Sequence, residues 1–176
     1  MPVSDRATQQ EIVEAVVNRL IDRIAELTDL NCNASDQREP VAWPQDRQCV
    51  IVSVGDGRYP EPFLAGGGAS TICEQSTIDV TAWVNCRLDT APYMHEALLN
   101  VTSGLWSYWK PAILRALLVS EDAVGNVIAW NPVSKDGMGL LRNQLAPAQC
   151  TAPRPDSSND WLGITLSFAA DFDWRL

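Results

Sequence analysis

Between residues 161 and 176, apolar and polar side chains alternate almost without a break. Leu162, Ile164, Leu166, Phe168, Ala170, Phe172 and Trp174 fall on one parity. Gly163, Thr165, Ser167, Ala169, Asp171, Asp173 and Arg175 fall on the other. Successive side chains of a strand project to opposite faces, so the pattern predicts a long, half-buried strand with one apolar row on a core. The chain stops there, and the strand is expected to be built into a sheet rather than left as a tail.

Near the start the period changes. Ile12, Val13, Val16, Val17, Leu20, Ile21, Ile24 and Leu27 recur at three- and four-residue spacing, predicting an amphipathic helix with one broad stripe. Thr8 with Glu11 fits a capping box, and Ser4 or Asp5 would cap one turn earlier. Glu14, Asn18, Asp22 and Glu26 take the outer face. Residues 31–47, rich in Asn, Asp and Pro, read as a loop, and 49–54 as a β-branched strand ended by Gly55-Asp56-Gly57. Residues 58–70, with Pro60, Pro62 and Gly66-Gly67-Gly68, read as a mobile extension at the tip of a hairpin. Its second strand, about 71–85, puts Ile78, Val80, Ala82 and Val84 opposite Thr77, Asp79, Thr81 and Trp83.

A second helix is expected from Asp89-Thr90, with Pro92 in its first turn. Met94, Ala97, Leu98, Val101, Leu105, Tyr108 and Trp109 carry its period, and Pro111 should break or kink it, leaving 111–118 as a second piece. Short strands at 126–130 and 138–145 and a long polar connection over 146–160 complete the chain. Strands adjacent in sequence without a helix between them pair antiparallel. The order therefore predicts a single α+β domain over 1–176: a mostly antiparallel sheet with two main helices on one face, and flexible loops near 31–47, 56–70 and 146–160.

Composition narrows the function classes. The 176 residues carry 13 basic and 22 acidic side chains, a net charge of -9, with no basic run for holding phosphates, so stable nucleic-acid wrapping is not expected. No run is long and apolar enough to span a bilayer. Cys32, Cys49, Cys73, Cys86 and Cys150 are odd in number, widely spaced and without a C-x-x-C, which reads as reduced thiols in a cytosolic product rather than a metal site or a disulfide framework.

Catalytic chemistry finds little purchase. His95, the one histidine, is placed on the polar side of the second helix, and no G-x-S-x-G elbow is present. Gly66-Gly67-Gly68 is followed by Ala69-Ser70 and a strand, without the Lys and helix of a phosphate loop. Asp171 and Asp173 share a strand face without further ligands, which reads as a solvated face. Trp106 and Trp109, beside Tyr108 and Leu105, read as core or subunit interface. The expectation is a protein without enzymatic activity, cofactor or metal.

This organisation resembles the tail terminator, or tail-completion, proteins of long-tailed bacteriophages, the minor tail proteins of head–tail joining. The matching stretches are the helix over 11–27, the hairpin over 49–85 with its 58–70 insertion, the helical region 93–118 and the strand 162–174. The ending Gly-Ile-Thr-Leu-Ser-Phe-Ala-Ala-Asp-Phe-Asp-Trp is similar in texture to that family's terminal strand. Residues 31–47 and 146–160 are additions relative to its compact members.

The resemblance implies a structural virion protein in the neck, assembled in the host cytoplasm. It would form a homo-oligomeric ring, usually a hexamer, that stops the tail tube and docks the head connector. Its partners would be itself, the tail tube protein and a head-completion or connector protein, with DNA passing through without specific binding and no membrane involved. Another neck protein (head closure or connector) or a non-virion cytoplasmic binding domain are the alternatives. Candidate subunit or partner contacts are Tyr59, Phe63, Gly66, Gly67, Gly68, Trp106, Trp109, Phe172 and Trp174, and Asp171 and Asp173 are candidates for an acidic bore.

Overall fold

Two fifteen-residue strands, β3 (Thr71–Asn85) and β8 (Trp161–Arg175), pair antiparallel over their full length, from Thr71 opposite Arg175 to Asn85 opposite Trp161. The register follows from the two alternating patterns. It sets Ile78 against Phe168, Val80 against Leu166 and Ala82 against Ile164, and a slip of one residue would turn both apolar rows to the other face. The computed structural model describes residues 4–45, 47–59, 71–86, 91–121, 124–128, 130 and 145–175.

The remaining elements gather around this pair. Helix α1 (Ser4–Arg23) leads into β1 (Cys32–Ala34) and β2 (Gln48–Val54), and β3 follows. Next come α2 (Ala91–Leu99), a π-helical turn (Leu105–Trp109), α3 (Lys110–Leu118), and a small hairpin of β4 (Ser120–Glu121) and β5 (Val127–Ile128). β6 (Ala146–Cys150) and β7 (Arg154–Pro155) precede β8. The main sheet runs β1-β2-β3-β8-β6, with β7 also on β8, and every pairing is antiparallel except that of β1 with β2. The α+β class expected from the element order is the observed one.

One sheet face carries the core. Val50, Val52, Ile78, Val80, Leu166 and Phe168 meet Ile12, Val16 and Leu20 of α1 and Ile113 and Leu117 of α3, all buried. Arg19 ties the two helices together. Its guanidinium donates to the carbonyls of Ala116 (3.0 Å) and Val119 (2.8 Å) at the end of α3 and lies 5.3 Å from the centre of the Trp130 ring. The unpaired carbonyls at a helix C-terminus carry partial negative charge, which a cation there neutralises.

The structure corrects four local expectations. Helix α1 is already running at Ser4, so Thr8 lies inside it rather than at its cap. The second helical stretch is divided at residues 100–104, ahead of Pro111, while the second piece expected over 111–118 is present as α3, which the π-helical turn enters without a gap. The segment 31–47 is not a free loop: it contains β1 and then lies across the sheet. The connection 146–160 holds β6 and β7, both paired to β8. The expected strand at 138–145 and the expected helix start at 89–90 lie outside the described residues, apart from Leu145.

β8 begins from a turn organised by Asp156. Its carboxylate accepts the backbone N–H groups of Ser158, Asp160 and Trp161 and the Ser158 hydroxyl, and Asn159 takes the left-handed conformation (φ 61°) that Asn tolerates. Burial raises this carboxyl's pKa, but the four donors outweigh burial and hold it below its ordinary value.

Two outcomes follow. Gly163 faces Trp83 across the β3–β8 pair, and a Cβ there would come within 2.5 Å of the indole. Gly163→Ala should therefore destabilise by about 1–3 kcal/mol, read as a lower urea midpoint. The depressed Asp156 carboxyl contributes stability above the unfolded pKa of about 4, which is lost as pH falls through the lower folded value. Urea titrations at about pH 7 and about pH 3 should show a smaller acid loss for Asp156→Asn than for the wild type.

Candidate interaction surface

The division of the second helical stretch creates the most distinctive surface of the molecule. Asn100 stops α2: its side-chain oxygen accepts the Thr102 N–H (2.9 Å) and hydroxyl (3.0 Å), offering the backbone a turn instead of another helical step. The chain re-enters helix through the π-helical turn, in which the Trp109 N–H reaches Gly104 (3.0 Å) and the Lys110 N–H reaches Leu105. The wider turn sends Leu105 and Trp109 into the core, Trp109 with 1% exposure, and leaves Trp106 at 47% on the surface.

Trp106, Lys110, Pro111 and Leu114 line an open groove of about 440 Å³. Lys110 and Leu114 also line a neighbouring depression of about 230 Å³ whose far wall is Pro147, Ala148, Gln149 and Cys150 of β6. A largely apolar furrow thus runs from Trp106 along α3 to the edge of the sheet. Beyond the other end of α3, the β4–β5 hairpin presents Val124 (86% exposed), Val127 (72%) and Ile128 (45%) beside the exposed Glu121.

The predicted contact residues do not form one site. Trp106 lines the furrow. Trp109 and Phe172 are interior, packed in the main core: of core or subunit interface, Trp109 is core, and Phe172 stays on the apolar row of β8, so neither is available as the candidate contact it was named. Tyr59 is exposed at the β2–β3 end, next to Arg58, which bridges to Gln75 through both backbone and side chain. Asp171 is the opposite neighbour of Gln75 and only half-buried, so register sets Arg58, Gln75 and Asp171 in one row across the sheet face away from the helices. Asp173 follows Asp171 on the same parity, opposite Cys73. Phe63, Gly66, Gly67 and Gly68, and the side chains of Asp173 and Trp174, lie outside the described residues. His95 is exposed on α2.

That second sheet face is not a solvated one along most of its length, which overturns the half-buried reading of β8. Trp161, Thr165 and Ser167 are buried on it, as are Cys49, Ile51, Trp83, Asp79 and Thr81. The cover is the segment 35–45. Trp43 stacks on Trp161 (4.5 Å between centroids, planes at 18°) and meets Trp83 edge-on (5.3 Å, 84°). The Trp83 N–H donates to the Arg38 carbonyl (2.9 Å), and the Arg38 guanidinium reaches Asp79, which is 1% exposed and also accepts the Thr77 hydroxyl. The available signal was the placing of Trp83 and Trp161 on the polar parity of their strands.

A polar depression of about 480 Å³ lies where Gln48, Asn85 and Cys86 meet Glu96, Asn100 and Ser103. Its thiol is a poor nucleophile: burial, then the charges of Asp156 and Asp160, push Cys86 up to about 11. Burial likewise pushes Cys32 and Cys49 up to about 12. Cys32, Cys49, Cys86 and Cys150 are free thiols, and Cys150 is exposed on β6. No helix among the described residues is long and apolar enough to cross a membrane. No protein-family model matches the chain, and no curated protein matches it.

The thiols yield a direct test. Alkylation of native protein at about pH 8 should modify Cys150 within minutes and leave Cys32, Cys49 and Cys86 intact until denaturant is added, because only the thiolate reacts. Peptide mass mapping reads the sites, and early modification of Cys32 or Cys49 would contradict their burial.

Proposed function

We propose that the chain is a structural virion protein of a long-tailed bacteriophage, a tail terminator or neck component that assembles into a ring between tail tube and head connector. The observation that carries this reading is the exposed apolar side chains of Trp106, Val124, Val127 and Ile128, which lie outside an already complete core. Single exposed apolar side chains, such as Leu30 and Val41, are ordinary, whereas three gathered on one short hairpin of a chain with net charge -9 favour contact with protein.

Two further features support it. The β6 edge offers five exposed, uncharged residues, blunted for strand pairing by Pro147 and the bulge between Pro147 and Gln149 but open to side-chain contact. The sheet face away from the helices carries Asp171 and Asp173 on one parity, and turned toward a ring axis it would give DNA a path that does not bind phosphate. In this reading the protein acts by position and shape rather than by catalysis. It closes the tube, presents a docking face to the connector and leaves the bore open.

Native mass measurement combined with negative-stain microscopy tests the proposal. The expected species is a closed ring, six times the 19.3 kDa chain. A monomer at high concentration, both alone and with tail-tube protein, would overturn it.

A further inference from the structure

We infer that the contact between neighbouring copies is made by the β4–β5 hairpin of one subunit inserted into the Trp106–Lys110–Leu114 groove of the next. This inference rests on the self-association proposed above and specifies which two surfaces meet.

The two surfaces match in chemistry. The hairpin presents Val127 as an exposed aliphatic knob on the same face as Glu121, its opposite neighbour, while Ile128 projects to the other face beside Ser120. The groove presents the Trp106 indole, Pro111 and Leu114 as apolar walls, with Lys110 on its border. The open groove of about 440 Å³ has room for the Val127 side chain. An aliphatic side chain would thus meet aromatic and aliphatic walls, while a carboxylate meets an ammonium at the rim. In a chain of net charge -9, a cation beside an apolar groove selects an acidic partner, and the hairpin is apolar and acidic together.

The two surfaces cannot meet within one molecule. The groove opens at the first turns of α3, and the hairpin leaves from its far end, after nine residues of helix or about 13 Å of rise. The hairpin is also held at its base, where Arg19 donates to the Val119 carbonyl immediately before β4. A knob and a hole at separate places on one subunit make a heterologous contact. Each subunit then uses its hairpin on one neighbour and its groove on the other, and such contacts close into a ring when the rotation permits.

Charge reversal tests the pairing on the full chain. Lys110→Glu and Glu121→Lys are surface changes, and each should weaken association about tenfold or more by setting like charges together, read from native masses over a concentration series. The double variant Lys110→Glu with Glu121→Lys should recover most of the wild-type assembly, because the pair is restored with its signs exchanged. Val127→Ser should weaken assembly with no change in the urea midpoint of the monomer. Assembly by the wild type that survives both single reversals, or a double variant no better than the worse single one, would overturn the hairpin-in-groove contact and leave the ring proposal standing. Absence of assembly by the wild type itself would overturn both.

Discussion

The β3–β8 pairing is the constraint on which the rest of the structure depends. Its partners are separated by about seventy-five residues, so it forms only after a long loop has closed, and such non-local pairing slows folding. Once formed, it fixes everything on both faces. On one parity it aligns the apolar row that receives α1 and α3. On the other it brings Trp83 beside Gly163 and Thr81 beside Thr165, whose hydroxyls lie 2.9 Å apart. Gly163 is needed because the Trp83 indole occupies the space where a side chain would stand.

The second face shows how a small protein buries both sides of a sheet with a helical layer on only one. Among the described residues, the segment 35–45 has no repeating hydrogen bonds of its own, yet it covers the sheet with an indole stack and an ion pair. Asp79 is almost fully buried, whereas Arg38 keeps much of its guanidinium in water, so the cation retains hydration while satisfying the carboxylate. An Asp buried without that partner would bear an uncompensated desolvation cost. The cover leaves Asp171, with Gln75 and Arg58, beyond its end.

The surface used in the proposed assembly arises from an irregularity in the helical layer. Leu105, Tyr108 and Trp109 carry the helical period and Trp106 does not. Beyond the break at Asn100, the π-helical turn accordingly holds Trp109 inward and leaves Trp106 outward. The outward indole, set against Pro111 and Leu114, becomes the wall of a groove, and the inward one completes the core.

The sequence by itself determined the α+β class, α1 with its buried stripe, the β2–β3 hairpin and the apolar parity of β8. Each is a local repeat of period two or 3.6, which any chain displays in its side-chain order. Only the tertiary structure decided the rest. The break near residues 100–104 depends on backbone bonding by Asn100 and Gly104, which leaves no period to read. The cover over residues 35–45 and the strands in 146–155 depend on pairing with other elements, Trp161 and Asp79 for the first and β8 for the second, which no local repeat displays. That Trp109 and Phe172 serve the core and not a subunit contact was decided for the same reason. An aromatic side chain on a helix or strand serves an interior as well as an interface, and its role is settled by what the opposing element leaves open.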